Sequence, residues 1–381
     1  MKKVLVLNGQ YLPGYKGGGP IQSCANMIEN LSDHFEFKVL CADRDFKDKT
    51  PYETVVIDEW NQVGSAQVLY MSPRLQTLQG FKKILDETEY DILYLNGFFS
   101  PVFTIRPLVL RRLGKLKNTD IILAARGDLK YGSGGIGHKK LKKYIYIAVV
   151  KLIRMYSGIK WHATSDIEVQ DIRNIFPEAN IIMIPNLPAR FSERKAIIDK
   201  VPGKLKLVSV GRITPPKNLR CALEVLKQIE QGEISFDIYG PTEDKNYWEE
   251  CKKLIKEMPE NVTVSYRGEV LHSEVPHVFE QYHAFFYPTH GENYGHVILE
   301  AMMNNCLCIL SKGVTPWDEY LERLDTGAPL NDQGKFVEIV KRLVSADQNT
   351  IDEMLKYNNS FIAQKTNPDK SIELYRELFS M

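Results

Sequence analysis

The sequence predicts an α/β protein of two domains, each built on a doubly wound parallel sheet that is covered by helices. Short apolar runs alternate with amphipathic stretches along the whole chain, which is the pattern of parallel strands joined by crossover helices. Several runs, such as VLVL and DIILAA, are apolar on both faces, as expected for strands buried under helices on each side. A length of 381 residues also favours two domains over one.

The elements of the first half follow from the local patterns. Strands are predicted where short apolar runs lie between turn residues. They are Lys3–Asn8, Phe35–Cys41, Thr54–Asp58, Asp91–Asn96, Asp120–Ala125, Trp161–Thr164 and Ile181–Ile184. Helices are predicted where apolar residues recur at helical spacing. They are Ile21–Leu31, Gln76–Glu87, Val102–Leu113, Lys140–Tyr156 and Asp166–Asn174.

A stretch of little periodicity, IPNLPARFSERKAIIDKVPGK, divides the chain and contains three prolines. Proline fixes its own φ and disfavours helix at the preceding residue, so this stretch is interpreted as a linker. We therefore place one domain at 1–186, the linker at 187–203 and a second domain at 204–381, whose last helix is free to pack back on the first domain. The second domain's predicted strands are Lys206–Val210, Phe236–Tyr239, Val262–Tyr266, Ala284–Tyr287 and Cys308–Leu310, with two or three helices from Asp332 to Phe379.

Composition excludes several classes of protein. The formal net charge of +1 provides no overall field for nucleic acid, so no nucleic-acid partner is expected. The six cysteines lie mostly in apolar runs, which predicts buried thiols, and Cys306 and Cys308 lack the second pair that a zinc site needs. The apolar run Val4–Leu7 is too short for a signal peptide, and no run approaches the ~18 residues of a membrane span. We expect a cytoplasmic protein.

Two loops that follow predicted strands have the composition of anion-binding sites. In KGGGP, glycines let backbone N–H groups approach a ligand, and the next helix would point its N-terminus at it. Arg212 and Lys217 flank a proline-stiffened turn after a buried strand, where ligands of open α/β sheets bind. Their charges suit phosphate oxygens. The alternatives are a flexible surface turn for the glycines and simple solvation for the basic pair.

The most specific pattern is FFYPTHGENYGHVILEAMMNNCLCILS, in which an apolar strand leads through a polar loop into a helix. Glu292 lies in the loop, and Glu300 lies five residues after Gly295, where the helix is expected to begin. At ~1.5 Å per residue Glu300 is only ~6–8 Å deep along that helix. A carboxylate there accepts hydrogen bonds from paired hydroxyls such as those of a ribose. The alternative is an ordinary helix glutamate.

These motifs resemble a known family. GENYGHVILEAM, with Glu292 and Glu300 separated by seven residues, is similar to the loop and helix of the retaining GT-B glycosyltransferases called glycosyl transferases group 1 (family 4). VSVGRITPPKNL resembles their diphosphate-binding turn, KGGGP their glycine loop and SYRGEV their nucleobase pocket. HATSDIEVQDI resembles the end of their first domain. The resemblance spans nearly the whole chain, with the motifs in the family's order.

The resemblance implies two Rossmann-like domains with an interdomain cleft, the first on the acceptor side and the second binding the nucleotide sugar. Catalytic roles would go to Glu292, which contacts the donor sugar, and to Arg212 and Lys217, which stabilise the leaving diphosphate. Glu300 would bind the ribose. The implied donor-binding set is Gly18, Gly19, Arg212, Lys217, Tyr266, Arg267, Gly268, Asn293, Tyr294, Gly295, His296 and Glu300. Such enzymes retain anomeric configuration and use no metal or other cofactor.

One position departs from the family's pattern. Many members carry a histidine after the strand that corresponds to Ile121–Ala125, whereas this chain has AARGDLKYGSGG there and no histidine before His138. Arg126 is the candidate for the acceptor side in its place. A competing metal signature, Asp43-Arg44-Asp45, has the spacing of a D-x-D site for a divalent ion. Its charged neighbours favour a solvated loop.

Residues 138–160 contain seven Lys or Arg and no acid. On a helix Lys140, Lys143, Lys151 and Arg154 fall within about 80° of one another, with Tyr144 and Ile147 beside them. This stripe suits the anionic inner face of a membrane, and a helix with merely solvated lysines is the equal alternative.

We therefore predict a retaining glycosyltransferase that moves a sugar from a nucleotide-diphosphate donor to a saccharide or lipid-linked acceptor, in bacterial-type surface polysaccharide or glycan assembly. UDP is expected as the nucleotide from its prevalence in the family. Two alternatives stay open: a nucleotide-sugar epimerase or hydrolase of the same fold, and a non-catalytic nucleotide-sugar-binding subunit.

Overall fold

The computed structural model describes residues 1–130, 140–188, 198–271, 274–292, 294–365 and 368–380. The chain forms two compact units: Met1–Phe191 together with Pro368–Met381, and Ser192–Asn367. We call them the N-terminal unit and the C-terminal unit. The boundary between them lies within the segment that the prolines mark as a linker, and the last helix of the chain belongs to the N-terminal unit.

Strands are numbered in chain order. They are β1 (Lys2–Asn8), β2 (Phe35–Ala42), β3 (Trp60–Val63), β4 (Ala66–Met71), β5 (Ile92–Asn96), β6 (Asp120–Ala124), β7 (Lys160–Ala163), β8 (Asn180–Met183), β9 (Lys204–Val210), β10 (Glu233–Tyr239), β11 (Val262–Gly268), β12 (Ala284–Tyr287), β13 (Leu307–Ser311) and β14 (Gly327–Ala328). The helices are α1 (Gly19–Leu31), α2 (Leu78–Glu87), α3 (Arg106–Arg112), α4 (Lys140–Leu152), α5 (Asp166–Ile175), α6 (Leu219–Leu226), α7 (Lys245–Lys256), α8 (Val275–Phe279), α9 (His296–Met303), α10 (Asp318–Leu324), α11 (Gln333–Ser345), α12 (Gln348–Lys365) and α13 (Pro368–Ser380).

The sheet of the N-terminal unit has the strand order β3-β4-β2-β1-β5-β6-β7-β8. Its pairs are parallel except β3 with β4, which form an antiparallel edge. The chain builds outward from β1 to β4 and then returns to add β5 to β8 on the other side. The strand order therefore reverses between β1 and β5.

Both faces of this sheet are buried at its central strands, as the runs that are apolar on both faces predicted. Successive residues of β1 enter opposite cores: Leu5 and Leu7 pack on one face, and Val4 and Val6 on the other. The second face is completed by α1 and by α13, whose Phe379 ring lies 5.3 Å from that of Phe35. The last helix thus contributes to the core of the N-terminal unit.

The predicted strand Thr54–Asp58 is wrong, because those residues form turns ahead of the β3–β4 hairpin. Asp58 has a left-handed φ of 63°, and its carboxylate accepts hydrogen bonds from the backbone N–H and the hydroxyl of Ser72, at 2.7 and 2.8 Å. A hydrogen bond from the backbone to a side chain competes with the hydrogen bonds between strands, which the β-branched residues here would otherwise favour. The helix predicted at Val102–Leu113 is also divided, since Pro101–Ile105 forms a π-helical turn before α3.

His162 is the centre of a buried polar chain in the N-terminal unit. Its Nδ1 accepts from the hydroxyl of Tyr94 at 2.6 Å, because Nε2 must donate to the carbonyl of Ile184 at 2.9 Å. The Tyr94 hydroxyl in turn accepts from Arg126 at 2.9 Å. Burial, and then the positive charge of Arg126, lower the pKa of His162 to about 3. The folded protein therefore holds a neutral imidazole here.

This histidine predicts a loss of stability in acid. The unfolded chain protonates it below about pH 6.5, whereas the folded chain does so only near pH 3, so its contribution is complete above pH 6.5 and is lost as the pH falls. At about pH 5 this residue is expected to make the free energy of unfolding roughly 2 kcal/mol lower than it is above pH 6.5. Unfolding of wild type and His162→Gln at about pH 8 and pH 5 tests this, with the exposed His277→Gln as control. Equal losses in all three would contradict it.

The sheet of the C-terminal unit has the order β11-β10-β9-β12-β13-β14, and its pairs are parallel. The chain runs outward from β9 to β11 and then returns to place β12 against the other side of β9. One core cluster covers the sheet, and it includes Phe236, Phe286 and Trp317. The strand order reverses between β9 and β12, which decides where the candidate site lies.

Candidate functional site

The candidate site lies at the carboxyl edge of the C-terminal sheet. Open α/β sheets bind ligands outside the carboxyl ends of their strands, at the point where the strand order reverses. Here β9 ends at Val210 and leads through Gly211 to Arg212, while its neighbour β12 ends at Tyr287 and leads to Glu292. The topology therefore brings together two segments that lie about 75 residues apart in the chain.

Hydrogen bonds join the turn after β9 to the loop after β12. The side-chain amide of Asn218 donates to the carbonyl of Pro288 at 2.9 Å. The carbonyl of Pro216 accepts from the backbone of His290 at 2.9 Å and from the hydroxyl of Thr289 at 3.1 Å. The proline-stiffened turn and the glutamate-bearing loop therefore form one fixed structure.

The same loop is held from its other side by the segment after β13. The backbone N–H of Glu292 donates to the carbonyl of Val314 at 3.0 Å. The indole of Trp317 donates to the carbonyl of Tyr294 at 2.8 Å, and the rings of these two residues lie 5.8 Å apart. A loop bound on both sides keeps its side chains in place before any ligand arrives.

Lys217 and Glu292 form an ion pair at the centre of this arrangement. Both side chains are mostly buried, with exposed fractions of 20% and 15%. The hydroxyl of Tyr287 donates to the same carboxylate oxygen of Glu292 at 2.8 Å. Burial, followed by the negative charge of Glu292, raises the pKa of Tyr287 well above its usual value, so its hydroxyl keeps its proton. Sequence reasoning named the first two residues and missed Tyr287.

Arg212 lies at the same edge but is bound differently from Lys217. Its guanidinium is 3.6 Å from the carboxylate of Glu243, in the segment between β10 and α7, and 38% of its side chain is exposed. Its charge also reaches Tyr287, where it opposes the upward shift in pKa that burial causes. Glu243 was not predicted. The two basic residues therefore carry separate acidic partners.

Helix α9 begins at His296, as the position of Gly295 predicted. Gly295 has a φ of 76°, which favours glycine, and a Cβ there would also lie 2.7 Å from the terminal methyl group of Ile298. Glu300 is the fifth residue of the helix, about 6 Å along it, and is half-buried. The rings of Tyr294 and His296 lie 4.8 Å apart at its start.

The segment predicted to border a nucleobase ends β11, at the same edge of the sheet. The hydroxyl of Tyr266 donates to the carbonyl of Gly240 at 2.9 Å, and its ring lies 4.9 Å from that of Trp248. Arg267 donates to Asp237 at 3.0 Å. Since β11 lies two strands from β9, this segment is about 10 Å from the turn that carries the basic pair.

In the N-terminal unit, Gly18 has a φ of 69° and α1 begins at Gly19. The loop ahead of them is fixed by Asp45, whose carboxylate accepts from the backbone of Tyr15 at 2.7 Å and of Lys16 at 3.0 Å. Asp43 and Asp45 are both buried. The expectation that these acids lie in a solvated loop is therefore wrong, because they satisfy N–H groups and the guanidinium of Arg44.

Arg126 follows β6 and has a left-handed φ of 53°. Its guanidinium turns inward and donates to Asn96 at 2.6 Å, to Asn186 at 2.5 Å and to Tyr94 at 2.9 Å. Three neutral acceptors, all within the N-terminal unit, therefore engage the residue that was predicted for the acceptor side. Its described contacts are those of a residue that organises the carboxyl edge of this sheet.

Comparison with known proteins places this geometry in a family. Residues 191–365 match the model of the family described as glycosyl transferases group 1. The chain carries a group 1 glycosyltransferase domain. The match covers nearly all of the C-terminal unit and contains the turn with Lys217, the loop with Glu292 and helix α9. No curated protein sequence matches the chain.

Solved structures similar to this glycosyltransferase share its fold along the whole chain. HepE from Anabaena, in complex with UDP and glucose, has a TM-score of 0.71 at 12% identity over 100% of both chains. A variant of TarM from S. aureus, in complex with fondaparinux, alpha-GlcNAc-glycerol and UDP, has 0.69 at 14% over 100% of both. WaaG, a glycosyltransferase involved in lipopolysaccharide biosynthesis, has 0.63 at 14% over 98% of this chain and 99% of its own. The predicted GT-B fold and the prediction of a glycosyltransferase are confirmed.

The basic stripe predicted on 138–160 does not form as a single face of one helix. Helix α4 ends at Leu152, so Arg154, with a φ of 49°, does not continue it, and Ile147 is buried in the core. Lys143 and Lys151 lie over the rings of Phe99 and Phe176. Positions 138 and 139 lie outside the described residues, as does the predicted site residue Asn293.

Three further findings concern metal binding, membrane-spanning helices and the cysteines. Within the described ranges, no group of three or more His, Cys, Asp or Glu side chains is placed to hold a metal ion. None of the helices in the described part of the chain is both long enough and apolar enough to cross a bilayer. All six cysteines are buried and free.

Proposed function

We propose that this protein transfers a sugar, with retention of anomeric configuration, from a UDP-sugar to a saccharide or lipid-linked acceptor in the assembly of a bacterial-type surface polysaccharide or glycan. The observation that carries the proposal is the preformed pair of Lys217 and Glu292 at the reversal point of a group 1 glycosyltransferase domain. A cation for the diphosphate and an acid for the sugar are held together there before substrate binds.

The proposed roles follow from the position of each residue. Lys217 and Arg212 bind the donor diphosphate and stabilise the charge that develops as its bond to the sugar breaks. Glu292 binds the sugar and Glu300 the ribose hydroxyls. The base borders Tyr266–Gly268, and the start of α9 contacts sugar and phosphate through its backbone. Because two cations of the chain supply the charge, we propose that the reaction needs no metal.

The N-terminal unit supplies the proposed acceptor side. No atom lies within 4 Å of the place where a Cβ of Gly18 would be, and Gly19, the first residue of α1, is exposed. We propose that both leave the backbone open to the donor diphosphate or the acceptor. Arg126 shapes the carboxyl edge of the same sheet through Asn96, which also donates to the carbonyl of Pro20 at 3.1 Å. We propose that Arg126 serves the acceptor side by fixing this edge.

Structural neighbours favour UDP as the nucleotide. HepE was crystallised with UDP-glucose as well as with UDP and glucose, and the TarM structure also holds UDP. Calorimetry of the protein with UDP, GDP, ADP and dTDP tests the choice, and we expect the tightest binding for UDP. Tighter binding of another nucleotide would overturn the UDP assignment, and binding of none would overturn the function.

A second experiment separates the alternatives. Mass spectrometry of UDP-glucose incubated with the protein, with and without saccharide acceptors, is expected to show a glycosylated product only when an acceptor is present. Free sugar or an epimer without acceptor would favour the hydrolase or epimerase, and no turnover with intact UDP binding would favour a binding subunit. The anomeric configuration of the product, measured by NMR, tests retention.

A lipid-linked acceptor is favoured by the outer face of α4. Leu141, Ile145 and Leu152 point the same way, within about 40° on the helix, and Leu141 and Leu152 are 75% and 84% exposed. Lys142 and Lys151 lie about 90° to either side of this stripe. Apolar side chains flanked by lysines suit a helix that lies in the surface of an anionic membrane. We propose that α4 brings the protein to its lipid-linked acceptor in this way.

This contact predicts that apolar residues, as well as charges, hold the protein on vesicles. Replacing Leu141 and Leu152 with Ser is expected to lower binding to phosphatidylglycerol vesicles by ten-fold or more, since each leucine contributes roughly 1.5 kcal/mol or more when buried. Co-sedimentation measures it. Val56→Ser, which removes an exposed apolar side chain elsewhere in the N-terminal unit, is the control and should bind as wild type does. Unchanged binding of the double variant would contradict the contact.

A further inference from the structure

Tyr287 occupies the centre of the candidate site without any assigned role. It is the last residue of β12, and its ring is buried, stacked on Phe285 with centroids 4.8 Å apart. On the side of the neighbouring strand it packs against Gly211, where a Cβ would lie 3.6 Å from the ring. The ring is thus fixed, and its hydroxyl reaches Glu292 at 2.8 Å.

The carboxylate oxygen that Tyr287 binds is also the one that Lys217 contacts. Under the proposed function these two partners behave differently when a donor binds. The ammonium of Lys217, on a flexible stem, is drawn to the diphosphate and shares or gives up its contact with Glu292. The tyrosine hydroxyl belongs to a buried ring that cannot follow. It is a neutral donor, and its hydrogen bond goes to Glu292.

We propose that Tyr287 is a positioning residue, whose hydroxyl holds the Glu292 carboxylate in its sugar-binding orientation when the donor diphosphate engages Lys217. This inference rests on the proposed function. It adds a residue that lets Glu292 keep its place for the sugar while Lys217 binds the diphosphate. Tyr287 touches neither diphosphate nor sugar in this scheme and acts only through Glu292. Recognition of the sugar therefore depends on Tyr287, whereas recognition of the nucleotide diphosphate does not.

Tyr287→Phe tests this by removing one oxygen and leaving the ring. Calorimetry with UDP is expected to give the wild-type affinity within two-fold. The turnover of UDP-glucose is expected to fall about ten-fold, and so is the ratio of the affinity for UDP-glucose to the affinity for UDP. A ten-fold change corresponds to the loss of one hydrogen bond to a charged group. In a Glu292→Ala background the same substitution should have no further effect, because its only route of action is gone.

Tyr320→Phe is the matched control. Tyr320 is a fully buried tyrosine of the same unit whose hydroxyl accepts from the backbone of Cys308, so its loss should leave both affinities unchanged. Three results would overturn the inference: equal losses for UDP and UDP-glucose in Tyr287→Phe, no loss for either, or a full effect of Tyr287→Phe in the Glu292→Ala background. Failure of the wild-type protein to bind UDP would overturn the proposed function, and this inference with it.

Discussion

Replacing Lys217 with Ala is expected to weaken the binding of UDP by on the order of 1–3 kcal/mol, which is roughly 5- to 150-fold in affinity. The substitution removes a mostly buried cation from the edge where the diphosphate is proposed to bind. It also leaves the Glu292 carboxylate without its ion-pair partner, so an uncompensated negative charge would face the incoming phosphates. Both effects act in the same direction. Calorimetric titration with UDP measures the loss.

Two companion variants sharpen this result. Glu300→Ala is expected to weaken UDP binding by a similar amount, because the ribose hydroxyls lose their acceptor. Lys227→Ala removes an exposed lysine of the same unit, paired with Glu257 at 2.5 Å, and should leave UDP affinity unchanged. Unchanged affinity in both Lys217→Ala and Glu300→Ala would contradict the placement of the donor.

Gly240→Ala is expected to lower the free energy of unfolding by about 3 kcal/mol or more. Gly240 follows β10 with a φ of 139°, and a Cβ there would lie 2.0 Å from the carbonyl oxygen of Gly211. Unfavourable φ costs about 1–2 kcal/mol and an overlap of this kind about 1–3 kcal/mol. The clashing atom is backbone, so it cannot rotate away. Chemical denaturation of wild type and variant measures the difference.

The same substitution should also weaken UDP binding, because relief of the clash moves Gly211, which leads directly into Arg212. Gly203→Ala is the control: its φ of 85° is also unfavourable for alanine, but no atom lies within 4 Å of the added Cβ. It is expected to lose only about 1–2 kcal/mol of stability and to keep UDP affinity. Equal losses of stability in the two variants would contradict the prediction, because the overlap of the new Cβ with the Gly211 carbonyl would then add no cost.

The site could be predicted in part because its residues lie in a local motif. Glu292 and Glu300 sit within one loop and one helix start, so their spacing and the glycine between them are visible in the chain. Tyr287 was missed because a tyrosine at the end of an apolar strand has the same appearance as a core residue. The signal that could have found it is positional: it is the last residue of its strand and the one hydroxyl in AFFY.

Other errors came from contacts with distant parts of the chain. The β-branched run before Asp58 predicted a strand, and hydrogen bonds to Ser72 turned it into a bend. Asp43 and Asp45 were predicted to be solvated because their neighbours are charged, but backbone groups of the glycine loop, about 30 residues earlier, bind Asp45. Neither partner is close enough in the chain for a local pattern to include it.

The alternation of strands and helices outside the β3–β4 hairpin, the burial of the central strands on both faces and the identity of the acid and basic motifs follow from the amino-acid pattern, because hydrophobic period and turn chemistry are local properties. The pairing of Lys217 with Glu292, the separate partner of Arg212, the inward turn of Arg126 and the apolar outer face of α4 emerged only in three dimensions. Each depends on which strand lies beside which, or on where a helix ends against its core. Those outcomes are set by packing between segments that are far apart in the chain.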